Sequence, residues 1–354
     1  MSAAVAIEPI ADLAAARADW SRLADAAGSP FSTWEWADAW WRHLGRERLL
    51  LLQRCRAADG RVAAIVPLYL SARMPARTVR LVGHGPADQL APVCAPEDRE
   101  LAAAGLRAAL DERAGDWQVA ILDRLASDQP WRELIGGRLV DRQPSPVLRA
   151  EGRDWEAFLA SRSRNFRDQA RRRERRLARD HDVSFRLSDD PDRLDADLDT
   201  LLRLHDARWS GGTRSFDPPL DAFHRDFSRA ALERGWLRLW LLELDRRPAA
   251  AWLGYRMGGI EWYYQAGRDP ALEREAVGFV LMNHTIREAL NDGMSEYRLL
   301  LGGEGYKDRF ANAEYGLETV MFQRGVRGRA AMAATGVARR VPKGVRRRLK
   351  ALAG

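Results

Sequence analysis

Leu299-Leu300-Leu301-Gly302-Gly303-Glu304-Gly305-Tyr306-Lys307-Asp308-Arg309-Phe310 reads as an apolar strand that runs into three glycines and sets a Glu, a Tyr and a Lys at its mouth. Glycine lets a backbone approach a ligand closely, and reactive groups gather on loops at strand ends. The alternative is a plain turn with a charged rim. The lysine weighs against it. Of 57 Lys+Arg residues, only Lys307, Lys343 and Lys350 are lysine, and the last two lie in the C-terminal tail. The body of the chain writes arginine everywhere except here, and a compact ammonium is not interchangeable with a planar guanidinium. Glu304, Tyr306 and Lys307 are therefore the candidate reactive residues. The spacing is not that of a P-loop, and no Ser or Thr follows the lysine. No Gly-x-Ser-x-Gly elbow occurs, so a hydrolase triad has no support.

Upstream, three strands are expected over residues 236–244, 249–255 and 260–266, joined by the short links Asp245-Arg246-Arg247-Pro248 and Gly258-Gly259. The last strand leads through Gln265-Ala266-Gly267-Arg268-Asp269-Pro270 to Ala276-Val277-Gly278, where a helix opens and runs to about residue 290. Free N–H groups and the dipole at such a start attract phosphate. Gln265, Ala266, Asp269, Ala276, Val277 and Gly278 are the candidate phosphate-binding residues. An ordinary helix start is the competing reading, and Glu273 and Glu275 would repel a pyrophosphate if they pointed inward. Strands over 297–301 and 316–323 flank a short helix near Tyr306. A strand over 183–187 and helices over 195–209 and 220–234 precede the set.

The first half repeats this order more weakly. Strands are expected over 5–10, 49–56, 61–70, 78–82, 119–123 and 146–150. Helices are expected over 13–26, 34–44, 97–113 and 131–134. The expected organisation is an N-terminal domain over 1–154, a basic linking helix over 155–180, a C-terminal domain with the candidate phosphate site over 181–325, and a basic tail over 326–354. The linker contains Arg162-Ser163-Arg164-Asn165-Phe166-Arg167-Asp168-Gln169-Ala170-Arg171-Arg172-Arg173-Glu174-Arg175-Arg176. It reads either as a solvated helix or as a carrier of phosphate contacts.

Hairpin, strand, turn, helix, strand, short helix and strand is the order in which the GNAT acyltransferases are built. The chain resembles their CelD-like subgroup, associated with bacterial polysaccharide and cellulose biosynthesis. The resemblance rests on Pro30-Phe31-Ser32-Thr33-Trp34-Glu35-Trp36-Ala37-Asp38-Ala39-Trp40-Trp41-Arg42-His43-Leu44-Gly45, on Asp269 with Ala276-Val277-Gly278 standing where the family usually reads Ser-Pro-Gly, and on the 302–310 stretch. It spans about residues 5–325. It implies an α/β (α+β) fold of two tandem GNAT-like domains, each a mixed, mostly antiparallel sheet flanked by helices. It also implies direct transfer of an acyl group from acetyl-CoA or another acyl-CoA to an amine or hydroxyl acceptor. Tyr306 would then be the acid and Glu304 the base, directly or through water, and Lys307 would stabilise developing negative charge or hold an anionic acceptor. The same architecture resembles the Fem-type transferases, which move amino acids from aminoacyl-tRNA onto peptidoglycan precursors. A non-catalytic GNAT-like scaffold is the third reading.

Composition limits the alternatives. Ten basic residues and no acid follow Glu318, so the rest of the chain carries 47 basic residues against 50 acidic ones. The pI of 9.8 thus describes the tail, and nucleic acid is not expected as a partner except as aminoacyl-tRNA. Val337, Val341, Val345, Leu349 and Leu352 stand among the tail's arginines. Such a segment can lie on anionic lipid or remain a disordered basic end. Cys55 and Cys94 form no metal spacing, and the six histidines include no pair at ligand spacing, so no metal is expected. With no apolar run of spanning length and no basic segment before the Ala-rich N-terminus, the expected location is cytoplasmic, with the tail at the inner membrane face as a refinement.

Overall fold

A computed structural model describes residues 5–72, 76–208, 217–303, 305–326 and 328–330. The strands are β1 (Ala6–Ile10), β2 (Arg48–Arg56), β3 (Val62–Ser71), β4 (Thr78–Leu81), β5 (Val93–Cys94), β6 (Val119–Ala126), β7 (Arg138–Arg149), β8 (Val183–Leu187), β9 (Leu237–Leu244), β10 (Arg247–Met257), β11 (Ile260–Arg268), β12 (Glu296–Arg298) and β13 (Ala313–Gln323). The helices are α1 (Leu13–Ala27), α2 (Trp34–Leu44), α3 (Arg99–Glu112), α4 (Trp131–Ile135), α5 (Trp155–Ala160), α6 (Arg164–Asp180), α7 (Leu194–Arg208), α8 (Pro218–Glu233) and α9 (Val277–Asn291).

All described strands share one sheet, ordered β1-β2-β3-β4-β6-β13-β7-β12-β11-β10-β9-β8, with β5 on β3. The order is symmetric about the β13–β7 pair. In each half four strands run antiparallel and the fifth joins in parallel, β6 on β4 and β12 on β11. The closing strands are exchanged. β7, made by the first half, lies against β12 of the second. β13, made by the second half, lies against β6 of the first. The two exchanged strands pair with each other from Ala313 opposite Val147 to Met321 opposite Arg138.

Helices cover both faces. Apolar residues of α7 at Leu194, Leu198, Leu201 and Leu204 belong to one core cluster with Trp36 of α2 and Phe223 and Phe227 of α8. Trp36 is fully buried and meets Phe223 and Phe227 edge-on at 4.9 and 4.7 Å. Glu35 beside it receives Arg234 at 2.6 Å. The tryptophan-rich opening helix thus adds a helix contact between the halves to the exchanged strands. On the opposite face of the second half, α5, α6 and α9 cover Leu242, Leu244, Ala250 and Trp252.

The observed elements refine the expected ones. The linker over 155–180 is two helices, because Ser161 and Ser163 flank a break at Arg162 and Ser163 caps the second helix through the Phe166 amide. The strand expected to run through Leu301 ends at Arg298, and Leu300 takes a left-handed φ of 57°. Three consecutive leucines look like a strand, but Leu299 and Leu300 are buried in different core clusters. The short strand β5 carries only Val93 and Cys94, too few to show a period. Residues 331–354, including the basic amphipathic segment of the tail, lie outside the described residues, as does the Trp209 end of the expected helix over 195–209.

The exchange yields a prediction. Residues 1–180 and 181–354 expressed as separate chains should each lack a cooperative melting transition, since each leaves a strand edge without its partner. Mixing the two should restore a single transition by circular dichroism. Two independent transitions from the separated pieces would show the exchange to be dispensable.

Candidate active site

β11 and β12 stay paired only from Ile260–Glu296 to Trp262–Arg298. Beyond that, β11 runs on to Arg268, while the other chain stays on β7. Leu299 N–H donates to the Pro146 carbonyl (3.0 Å) and Gly302 N–H to the Pro144 carbonyl (3.2 Å). The two strands diverge, and a cleft of about 290 Å³ opens beside them. Its walls are largely aromatic and apolar, with Trp252, Tyr263, Phe279 and Phe310 among them, and Ala276 and Gly278 line it at the start of α9.

That helix start is chemically prepared. Ala276 is the N-cap, in the left-handed region at φ 56°, and no side chain caps the first turn. A left-handed non-glycine residue costs roughly 1–2 kcal/mol and marks strain of the kind found at functional sites. Gly278 matters for approach: a Cβ there would stand 3.3 Å from Arg268 Cδ. Gly267 answers a different need, because a Cβ on it would meet the α7 backbone at His205 N, 2.4 Å away.

Cations surround the mouth. Arg268, Arg173 of α6 and Arg309 all line the cleft. Glu273 lines it too and stands 3.4 Å from Arg268, so its charge is balanced. Arg173 and Arg309 lie against the Phe279 ring, each about 5.1 Å from its centroid. Burial, reinforced by repulsion from Arg309 and Arg172, pulls the Arg173 guanidinium below its ordinary value. An arginine crowded by like charge at an uncapped helix start is suited to an anion. Arg287 ties α9 to Glu174 of α6 through two contacts of 2.9 Å, so the arginine helix is fixed beside the cleft.

The sequence-derived candidates fall in several places. Tyr306 lines the cleft, its hydroxyl 3.2 Å from that of Tyr263. Ala266, Ala276 and Gly278 line it as well. Val277 is fully buried under the helix, Gln265 is not among the lining residues, and Asp269 caps the turn at Ala271 N (2.9 Å). Lys307 is buried, and its Nζ donates to the Leu301 carbonyl at 2.7 Å. It thereby pins the connection that leaves β12. Glu304 lies outside the described residues. Sequence reasoning passed over Arg173, Arg268, Arg309 and the aromatic walls. The Arg-rich run over 162–176 was the only signal for the first of these. Among the described residues no group of His, Cys, Asp and Glu could hold a metal ion, and no helix is long and apolar enough to cross a membrane.

This is a GNAT-like α/β fold whose second half holds the open cleft. Residues 164–308 match the family described as acetyltransferase (GNAT) domain. Among solved structures, the C-terminal domain of a putative lysylphosphatidylglycerol synthetase from Agrobacterium fabrum superposes with a TM-score of 0.61 at 14% identity, over 92% of this chain and 97% of that one. FemX gives 0.59 at 12% identity, over 82% and 91%. A tandem GNAT protein from the clavulanic acid biosynthesis pathway gives 0.51 at 13%, over 91% and 99%. No curated protein matches the chain in sequence.

Replacing Lys307 tests its placement. Lys307→Met leaves the Leu301 carbonyl without its buried donor and should destabilise the protein by about 1–3 kcal/mol, read from urea unfolding. An unchanged midpoint would mean that the lysine does not hold the loop.

Proposed function

We propose that the protein is an acyl-CoA-dependent acyltransferase, with acetyl-CoA as the leading donor and an amine or hydroxyl as acceptor. The observation that carries this reading is the uncapped start of α9 opening into an aromatic cleft where β11 and β12 part. The donor pyrophosphate would meet the N–H groups of Val277 and Gly278 in the first turn that follows Ala276, with Arg268 beside them. The thioester would lie toward Tyr263 and Tyr306. The acceptor's lone pair attacks the thioester carbonyl carbon, the C–S bond breaks, and the acceptor's proton passes to a base. We assign that base to Glu304 by its place between Gly303 and Gly305. Tyr306 protonates the departing thiolate. Lys307 acts through the Leu301 carbonyl, by setting the course of the loop that carries these groups. The 30–45 and 302–310 stretches support a CelD-like protein, with a cell-envelope, polysaccharide-related or small-molecule acceptor.

One observation favours a second donor, aminoacyl-tRNA, as in the Fem-type resemblance. Helix α6, whose Arg173 lines the cleft, carries eight arginines against three acids, and Arg164, Arg171, Arg172, Arg175 and Arg176 are exposed on it. Polyanion binding by such a surface would weaken steeply with salt.

A melting-temperature series separates the readings. A ligand that binds only the native state raises stability by about 2.7 kcal/mol at about one hundred times its dissociation constant. Acetyl-CoA should do so, and Gly278→Asp should abolish the effect by placing a carboxylate where the phosphates belong. Stabilisation by aminoacyl-tRNA alone, lost at high salt, would transfer the assignment to the second donor. No response to either in folded protein would remove both.

A further inference from the structure

A second, smaller cavity of about 40 Å³ lies in the first half. It sits where α3 begins and β6 ends, the counterpart of the α9 start. Its polar lining comes from Ser29, Ser32, Gln89, Cys94, Arg99 and Gln129, and it contains no carboxylate.

The orientation of these groups decides what they can bind. Gln89 and Ser29 are more than nine-tenths buried, at 7% and 8% exposure. Arg298 Nη1 donates to Gln89 Oε1 at 3.4 Å. Arginine only donates, so this contact turns the amide oxygen toward Arg298 and Nε2 away from it. That Nε2 has no protein partner, and neither has Ser29 Oγ. Ser29 makes no side-chain bond to the turn it precedes. Gln129 repeats the arrangement: its Oε1 accepts Trp131 Nε1 at 2.7 Å, which leaves its Nε2 as the remaining polar group. Arg99 is the first residue of α3, a cation at the positive end of a helix of 14 residues, where it is electrostatically unfavourable. Its neighbour Asp98 is engaged through both oxygens by Arg61 (2.6 and 2.7 Å), and Glu97 is exposed. Burial pushes the Cys94 thiol up to about 12, so it brings no charge at neutral pH.

The cavity thus presents donors with few acceptors. A buried donor left without an acceptor costs about 1–3 kcal/mol. The volume exceeds the roughly 10–15 Å³ that one water requires, yet it is far too small for a nucleotide. We infer that this cavity binds a small oxyanion, the carboxylate or phosphate group of a small molecule, in the half of the protein that lacks the open cleft. The inference does not depend on the donor proposed for the second half.

Calorimetric titration of the full chain with sodium phosphate and with sodium acetate, at constant ionic strength, tests it. At least one anion should bind with a component that belongs to this cavity, separate from any anion held by the cationic cleft of the second half. Arg99→Gln should weaken binding about tenfold or more, the scale of one charge-assisted contact. Gln89→Glu should do the same, because it keeps an oxygen for Arg298 but adds a carboxylate to the cavity. Arg173→Gln, at the cleft of the second half, should leave the component lost in Arg99→Gln unchanged, whatever it does to anion binding at the cleft itself. Binding of acetate alone identifies a carboxylate ligand, and binding of phosphate alone a phosphorylated one. The inference is overturned if neither anion binds, if Arg99→Gln binds as tightly as the parent, or if Arg173→Gln abolishes that same component. Arg99 is only partly buried, so its variant serves even if Gln89→Glu fails to fold.

Discussion

The antiparallel pairing of β7 with β13 is the constraint on which the rest depends. Each of these strands comes from one half and completes the sheet of the other. β12 has three residues, too few to stand alone, and it is held between β11 and β7. Where β12 stops, β7 continues to hold the chain through the Pro144 and Pro146 carbonyls. The divergence that opens the cleft is therefore set by a strand contributed from the other end of the sequence. The Trp36 contact between α2 and α8 reinforces the same association from one face of the sheet.

Two halves with one plan have unequal sites, and the reason is physical. In the first half β4 and β6 also part after two residue pairs. There the connection after β4 folds back into the gap: Ala87 and Leu90 are buried, and Leu90 N–H donates to the Arg124 carbonyl of β6. In the second half the matching connection turns outward through Pro270–Leu272, and the gap remains open. The tethered arginine helix α6 then adds positive charge to the open side alone.

Much of the fold was legible. The periodicity of the β9–β11 meander and the turn chemistry of its links marked the second half, and the order of elements carried the duplication. The exchange was not legible, because β7 and β13 read as the natural last strands of their own halves and nothing local records which neighbour each one chooses. The site was legible in part. The glycine-rich stretch pointed to Tyr306, and the strand-to-helix joint pointed to Ala276 and Gly278. Lys307 stood out for its rarity, but rarity does not reveal where an ammonium points, and it points to a backbone carbonyl. Arg173 and Arg309 come together over Phe279, a three-way contact among residues far apart in sequence.

The exchanged strands also impose a timetable on synthesis. β6 leaves the ribosome long before β13, and its edge stays without a partner while the second half is made. At about 5–20 residues per second that interval lasts roughly 10–40 s. During it the nascent first half presents an unfinished sheet next to the newly made β7, which must not close the gap in β13's place. The pairing of β7 with β6 would be the local and faster contact, since short loops close at lower entropic cost. The native arrangement therefore requires the growing chain to forgo its nearest partner, which makes the emergence of the final strand the point at which this protein commits to its structure.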